Sequence, residues 1–210
     1  MLPRIILMLL VLLYLPVSQA TAAPISDAPA EADSYYQRWL SMMFSDDIPT
    51  AELDTVHRVD LFINQAEYRS DAETLGKADQ WATPVEFIGR GEGDCEDFAI
   101  AKYFTLLAMG VAEEKLKLVF GKLTEDQTEH MVLLYTPLPD KESLLLDNLT
   151  PTPTPISLRQ DFKPLYSFNQ ETLWLMQGWR PISQNEGGLK TAQWQRVMRL
   201  LNRESLAQLP

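Results

Sequence analysis

Cysteine is almost absent from this 210-residue chain, which contains a single one, Cys95. One thiol excludes an intramolecular disulfide, and in an exported protein a leftover cysteine indicates intermolecular pairing or a free reactive group. The alternative is a buried, inert cysteine, which is the common role of a lone thiol. Histidine is nearly as scarce, so a catalytic thiol would depend on either His57 or His130 for its base.

Positive charge is also in short supply, with 18 Lys and Arg against 29 Asp and Glu and a net charge of −11. Arg4 is the only charged residue among the first 23, so a chain without them carries −12, which is −11 minus one. A chain this acidic repels phosphate backbones, and nucleic acid is therefore not an expected partner.

Long apolar runs are missing except at the N-terminus, where one extends from Ile5 to Leu15. This run is shorter than the ~20 residues of a membrane-spanning helix, and it is flanked by a positive residue and by small residues. We predict that residues 1–23 are a secretory signal peptide, cleaved near Ala20 or Ala23. An uncleaved anchor is the alternative, and either places the protein on the exported side. After cleavage we expect no direct membrane insertion.

The 187 residues that remain, 210 minus 23, are enough for one domain with a hydrophobic core. Residues 24–34 are small, polar and proline-bearing, which is typical of a flexible leader. We therefore place a single domain at residues 35–210.

Hydrophobic periodicity divides this domain into a helical half and a strand-rich half. Apolar spacing predicts helices at residues 35–44, 50–70, 95–109 and 190–205. Runs of β-forming residues predict strands at 115–123, 130–137 and 143–151. Proline and glycine predict a loop at 79–94 and an extended connector at 151–157, and the tryptophan-rich stretch 168–180 is expected to pack on the core.

Cys95 stands at the first turn of a predicted helix, in the stretch "GEGDCEDFAIAK". Unpaired N–H groups and the helix dipole at such a position lower a thiol's pKa and can bind an oxyanion. Three carboxylates surround the thiol, however, and their charge would raise its pKa. Two of them, Asp94 and Asp97, occupy the N-cap and capping-box positions of the helix, so capping is one explanation for their presence.

His130 opens a predicted strand and has a candidate partner on the next one. A hairpin closed near Pro137 and Asp140 pairs residues whose numbers sum to 277, which sets His130 opposite Asp147. A lone acid within "LLLDNL" calls for a partner, although an edge-strand acid in water is the alternative. His57 lies on the surface or flank of a predicted helix, and we expect it to be structural.

A thiol on a helix followed by a base and an acid on successive strands is the order found in papain-like and transglutaminase-like enzymes. The segments "WATPVEFIGRGEGDCEDFAIAKYFTLLAMG", "EHMVLL" and "LLLDNLTP" resemble the bacterial transglutaminase-like cysteine proteinases, and among them the LapG-type periplasmic proteases. The resemblance covers roughly residues 35–200. It implies an α+β, papain-like fold in which the nucleophile helix packs on an antiparallel sheet.

The resemblance also implies roles for particular residues. Cys95 would be the nucleophile, His130 the base and Asp147 the orienting acid. The family binds calcium beside its cysteine, and Asp94 and Glu96 match its acidic positions, with Asp97 as a weaker addition. A bound Ca²⁺ would offset the charge of the carboxylates around the thiol.

Activity and partners follow from the same resemblance. It implies a calcium-dependent periplasmic protease that cuts a large surface adhesin near its N-terminus, which promotes biofilm dispersal. It further implies control by the periplasmic domain of an inner-membrane cyclic-di-GMP receptor. A transglutaminase or amidase on the same scaffold and a non-catalytic binding module are the alternatives. Trp81 and Glu86, in the loop before the cysteine, are not assigned to catalysis.

Overall fold

The structure is a computed structural model, and it describes residues 34–45, 49, 51–70, 80–186, 188–189 and 191–206. The predicted signal peptide and all of the leader except its last residue lie outside the described residues, so both stay predictions. No helix among the described residues combines the length and the apolar character needed to cross a bilayer.

Helices occupy both ends of the described chain and the segment around the cysteine. They are α1 (Tyr35–Phe44), α2 (Glu52–Ile63), α3 (Pro84–Arg90), α4 (Cys95–Ala108) and α5 (Ala192–Leu206). The helix predicted at 50–70 ends early, at Ile63, because the chain then forms a short strand. The helix predicted from Cys95 is confirmed.

The strands form one large antiparallel sheet and one small parallel pair. The pair joins β1 (Glu67–Tyr68) to β2 (Glu92–Gly93), just before the cysteine. The sheet contains β3 (Leu116–Leu123), β4 (Glu129–Tyr135), β5 (Leu144–Leu146), β6 (Thr154–Pro155), β7 (Phe162–Phe168), β8 (Thr172–Gln177) and β9 (Arg180–Glu186). Its spatial order is β6-β5-β4-β3-β7-β8-β9, with β3 and β4 near the centre.

Two sequence predictions fail in detail. Residues 79–94 are not all loop, because Thr83 and Glu86 form a capping box and Pro84 starts α3. The connector 151–157 contains β6 and leads into a single 3-10 turn, Ile156–Leu158. The prediction that 168–180 packs on the core is confirmed, since Phe168 is buried in the main cluster, Leu173 packs against that cluster, and Trp179 packs against the cluster on the opposite face of the sheet.

The core lies between α4 and one face of the sheet. The side of α4 that carries Phe98, Ala101, Tyr103 and Leu106 is buried. It belongs to one cluster with side chains of β3 and β4, among them Leu118 and Leu133. Side chains that alternate with these pack on the opposite face of the sheet around Val119, Val132, Leu134, Leu145 and Phe162. The predicted α+β architecture, with the nucleophile helix on an antiparallel sheet, is therefore confirmed.

Candidate active site

Cys95 begins α4 and faces the central strand β4. Its Sγ donates a hydrogen bond to Glu96 Oε2 at 3.0 Å and accepts one from the backbone N–H of Met131. Met131 follows His130 directly in β4. Packing of α4 on β4 thus brings the thiol beside the strand position next to the predicted base.

The surroundings of Cys95 disfavour its thiolate. Burial raises the pKa of the Cys95 thiol, and the charge and hydrogen bond of Glu96 and the charge of Asp94 raise it further. The Met131 N–H acts in the opposite direction and is outweighed. With the carboxylates uncompensated, the thiol stays protonated, which is what the sequence predicted from the acidic residues around it.

Asp94 and Asp97 lie at the predicted positions at the start of α4. Asp94 occupies the N-cap position of α4, but its side chain makes no capping hydrogen bond. Asp97 is fully buried, where its Oδ1 accepts from the N–H of Ala82 at 2.7 Å and its Oδ2 pairs with Arg90 Nη2 at 3.1 Å. The N-cap position predicted for Asp94 is confirmed, but its side-chain capping bond is not formed, and the printed contacts of Asp97 connect it to the chain before α4.

The carboxylates fit a calcium ion in their chemistry. Within the part of the chain that the structure describes, no three His, Cys, Asp or Glu side chains gather into a metal-binding group. Ca²⁺ also accepts backbone carbonyls and waters, so two carboxylates can suffice as its charged ligands. Asp94 and Glu96 flank Cys95 directly in sequence, which places both carboxylates at the start of α4. Asp97 is committed to Ala82 and Arg90 and is the least available of the three.

His130 and Asp147 are in direct contact. The Nε2 atom of His130 lies 2.8 Å from Asp147 Oδ1, and both side chains are buried. The bond occupies Nε2 of the imidazole. The structure thus joins the predicted base to the predicted acid, and it sets the predicted nucleophile against the neighbouring residue of β4.

The register that predicted this contact is wrong by two residues. In the structure Leu133 pairs with Leu146 and Leu134 with Leu145, so paired numbers sum to 279 rather than 277. The reason is where the hairpin closes, since the hydroxyls of Thr136 and Ser143 meet at 2.7 Å. A shift of two residues keeps every side chain on its own face of the sheet, so Asp147 still reaches His130.

Asp147 lies just beyond the end of β5. Its Oδ1 also accepts a hydrogen bond from the N–H of Leu149 at 3.0 Å, a turn typical of aspartate. Burial acts to raise the pKa of Asp147, but the hydrogen bond and charge of His130, the Leu149 N–H and the charge of Arg159 outweigh it and lower that pKa to about 2. The acid is therefore ionised at neutral pH.

The ring of His130 is enclosed by the adjoining strands. Phe162 of β7 meets it edge-on, with ring centroids 6.1 Å apart. Gly121 of β3 pairs with His130 and permits this approach, because a Cβ there would lie 2.6 Å from Phe162 Cζ. The glycine and the aromatic ring together fix where the imidazole lies.

Sequence reasoning missed a polar group behind the site. Arg159 lies 2.8 Å from Asp147 Oδ2 and is 4% exposed. Asn64, just after α2, donates from its side chain to the backbone carbonyl of Asp147 at 3.0 Å. Asp60 and Lys102 form a buried ion pair at 2.7 Å between α2 and α4. A lysine in the apolar stretch "DFAIAKYF" was the one available sign of this group.

The other residues considered from sequence have roles elsewhere. Trp81 is buried and stacks on Phe168 with centroids 6.1 Å apart. Glu86 completes the capping box of α3 and pairs with Arg196 of α5 at 2.7 Å. His57 lies half-buried on α2. The geometry therefore gives Trp81 and Glu86 structural contacts and adds neither to the site.

The chain is similar to proteins of known structure and family. A family model described as bacterial transglutaminase-like cysteine proteinase matches residues 40–175. The calcium-bound structure of Legionella pneumophila LapG is 37% identical, covers 81% of this chain and 92% of its own, and has a TM-score of 0.67. The EGTA-treated form of that protein is 36% identical, covers 81% of this chain and 91% of its own, and has a TM-score of 0.69. No curated protein matches significantly.

Proposed function

The chain belongs to the bacterial transglutaminase-like cysteine proteinases, and from that premise we propose that it is a calcium-dependent periplasmic endopeptidase with the triad Cys95, His130 and Asp147. The observation that carries the proposal is the contact of His130 with Asp147 at 2.8 Å, beside a cysteine at a helix start. The similarity to a calcium-bound protein supports the metal requirement.

The three residues divide the work of peptide hydrolysis between them. His130 takes the thiol proton, and Sγ of Cys95 attacks the scissile carbonyl, forming a thioester as the peptide C–N bond breaks. The imidazolium gives its proton to the departing amine, and His130 then activates the water that hydrolyses the thioester. Asp147 holds the imidazole in one tautomer and stabilises its charged form. Backbone N–H groups at the start of α4 offer donors to the oxyanion.

Asp94 and Glu96 are the residues that would hold calcium, with Asp97 as a third candidate. When bound, the ion supplies a compensating positive charge and a fixed geometry at the start of α4. Glu96 accepts the hydrogen bond of the Cys95 thiol at 3.0 Å. A carboxylate engaged with a cation would hold that proton less strongly, so the thiol would become available to His130.

The substrate and the location rest on the sequence and the family. An N-terminal signal peptide supports export to the periplasm, where calcium is available to an exported enzyme. The resemblance to LapG-type proteases supports a large surface adhesin as the substrate, cut in its N-terminal region so that biofilm cells disperse. The same resemblance supports regulation by the periplasmic domain of a cyclic-di-GMP receptor that binds the protease.

Incubation with candidate substrates tests the proposal. The purified mature chain is mixed with recombinant N-terminal fragments of large adhesins, in Ca²⁺, in a calcium-selective chelator, and in chelator with Mg²⁺. We expect fragments only with Ca²⁺, because Mg²⁺ demands a tight octahedral shell. The Cys95→Ala variant should remain folded and yield no fragments.

Two results would overturn the proposal. Cleavage by Cys95→Ala at the wild-type rate would show that Cys95 is not the nucleophile. Products that are cross-linked or deamidated, with the polypeptide uncut, would indicate the transglutaminase or amidase alternative.

A further inference from the structure

Arg159 is buried against the oxygen of Asp147 that His130 does not use. We propose that Arg159 is a positioning residue for the reaction, whose permanent charge keeps Asp147 ionised and turned toward His130. This inference rests on the proposed function, since it takes Asp147 as the acid that orients the base. It adds a fourth residue, which the family resemblance did not indicate.

The two oxygens of Asp147 have separate partners. Oδ1 meets His130 Nε2 at 2.8 Å and the Leu149 N–H at 3.0 Å. Oδ2 lies 2.8 Å from Arg159 Nη1. This ion pair holds Oδ2 beside the guanidinium, so Oδ1 is the oxygen left facing His130.

Arg159 is itself held in place by its own neighbours. Its Nε and Nη2 atoms meet the two oxygens of Asp161 at 2.8 and 3.0 Å, a bidentate pair of the kind that fixes a guanidinium plane. Its backbone N–H donates to the carbonyl of Ile156 at 3.2 Å. The strand just before it, β6, pairs with β5, from whose end Asp147 extends. The cation and the acid are therefore fixed to the same edge of the sheet.

The positive charge of Arg159 stabilises the buried, ionised carboxylate of Asp147. Asp147 is 1% exposed, and an ionised carboxylate in such a place is costly unless it is paired. A neutral imidazole gives it a hydrogen bond but no charge, whereas a guanidinium is always protonated. Asp60 of α2 and Lys102 of α4 also interact electrostatically with Asp147, but they pair with each other and largely cancel. Arg159 is the cation in direct contact with Asp147, at 2.8 Å, and its other partner, Asp161, has a side chain that is 57% exposed and therefore screened by water.

A purely structural role would give different results in a set of variants. Arg159→Met removes the charge, Arg159→Lys keeps it, and Asp147→Asn/Arg159→Met removes both members of the pair. Arg196→Met is the matched control, because Arg196 is also ion-paired, to Glu86 at 2.7 Å, but has no contact with the triad. Each variant is measured for thermal unfolding, for kcat and KM, and for the downfield proton resonance of a histidine N–H bound to a carboxylate.

We expect Arg159→Met to lower kcat by about 10- to 100-fold, the usual cost of losing a residue that orients a functional group, with KM little changed. Its downfield resonance should be lost or shifted. Arg159→Lys should recover most of both, because a point charge can replace the guanidinium at Oδ2. Arg196→Met should keep the resonance and kcat. The double variant should be no slower than Asp147→Asn alone, since Arg159 acts through Asp147.

Several results would overturn the inference. If Arg159→Met keeps the wild-type kcat and the wild-type histidine resonance, Arg159 has only a structural role. The proposed function would still stand as long as the wild type cleaves its substrate. If Arg159→Met does not fold, the double variant Asp147→Asn/Arg159→Met provides the test instead. A lower kcat in the double variant than in Asp147→Asn alone would contradict the inference that Arg159 acts through Asp147. The histidine N–H resonance can be measured without substrate. If the wild type cuts no substrate but its resonance is lost in Arg159→Met, the proposed function is overturned and the inference about Arg159 stands.

Discussion

Two side chains on either side of Cys95 carry opposite consequences for catalysis, depending on what they bind. Glu96 takes the thiol hydrogen bond and, with Asp94, raises the pKa of Cys95 beyond the contribution of burial. The same carboxylates are the ligands that Ca²⁺ prefers. One pair of residues can therefore suppress the thiolate without the metal and permit it with the metal.

Replacing these residues tests that dual role. We expect Asp94→Ala and Glu96→Ala each to abolish calcium-dependent cleavage and to remove the rise in melting temperature that Ca²⁺ gives the wild type, since a ligand that binds the folded state stabilises it. Differential scanning calorimetry with and without Ca²⁺ provides the second readout. Glu92→Ala, a change two residues before Asp94, is the matched control. If Ca²⁺ raises the melting temperature of both variants as much as that of the wild type, these acids do not bind the ion.

The two histidines should behave very differently. We expect His130→Ala to lower kcat by about 10²- to 10⁴-fold, the range for loss of a general base, because His130 contacts Asp147 beside the thiol. His57→Ala should stay within about twofold of the wild type, since His57 lies half-buried on α2. Steady-state cleavage rates provide the comparison. Equal losses in the two variants would show that the base has been misassigned.

The sequence predicted the contact of His130 with Asp147 but could not predict Arg159. Alternation along two adjacent strands is local, and a two-residue error in register preserves the face on which each side chain lies. Arg159 follows a proline-rich segment that pairs with β5, and this pairing brings it to Asp147. The local hydrophobic periodicity of the sequence does not indicate that contact. Asp97 shows the same limit, because its partners Ala82 and Arg90 lie before α4 and outside its helical pattern.

Elements of the fold are tied to the site by a second buried pair. Lys102 of α4 and Asp60 of α2 lie 2.7 Å apart, and both side chains are completely buried. The pair connects the nucleophile helix to α2, and Asn64 just after α2 contacts the backbone of Asp147. The position of α4 relative to the acid therefore depends on this helix–helix contact.

Removing one member of the pair should destabilise the protein strongly. We expect Lys102→Met to lower the free energy of unfolding by about 3–5 kcal/mol, because it leaves Asp60 buried without its cation. Asp60→Leu/Lys102→Met should recover much of the loss. Lys122→Met is the control, since Lys122 is partly exposed and lies 3.9 Å from Glu129, and it should cost at most about 1 kcal/mol. Equal costs for Lys102→Met and Lys122→Met in urea unfolding would contradict the role of the buried pair.

Helix α3 shows how element prediction depends on which local signal is read. Proline and three glycines indicated a loop at residues 79–94, yet Thr83 and Glu86 form an N-terminal capping box and Pro84 begins the helix. Gly91, at φ 70°, ends the helix in the left-handed region that glycine tolerates. The start and stop signals of this helix are therefore present in the sequence, among glycines that by themselves favour a loop. By contrast, α4 was predicted well because it is a long stretch rich in apolar residues, and it is buried on most of its sides.

At the scale of the whole molecule, stability should depend on pH through Asp147. Burial acts to raise its pKa, but its hydrogen bond to His130 and its other contacts lower that pKa to about 2. The unfolded-state pKa of aspartate is ~3.9. A lowered folded-state value stabilises the protein above the unfolded pKa, and that contribution is lost as pH falls from about 4 to about 2.

Urea unfolding of the wild type and Asp147→Asn over this range measures the effect. We expect the free energy of unfolding to fall more steeply with acidification in the wild type, by about 2 kcal/mol in total. Asn titrates nowhere in the window, so the variant removes this source of pH dependence. Parallel curves for the two proteins would contradict the assignment of Asp147 as a strongly ionised buried acid.

The central claim of the proposed function is that the chain hydrolyses a peptide bond with Cys95 as the nucleophile. The products formed in ¹⁸O-labelled water by the wild type and by Cys95→Ala test this claim most directly. The mature chain with Ca²⁺ is incubated with an adhesin N-terminal fragment in that solvent, and the products are analysed by mass spectrometry. We predict two fragments, with one heavy oxygen incorporated into the new C-terminal carboxylate, and none from Cys95→Ala. Cross-linked polypeptides without heavy oxygen, or the same labelled fragments from Cys95→Ala, would contradict a cysteine protease.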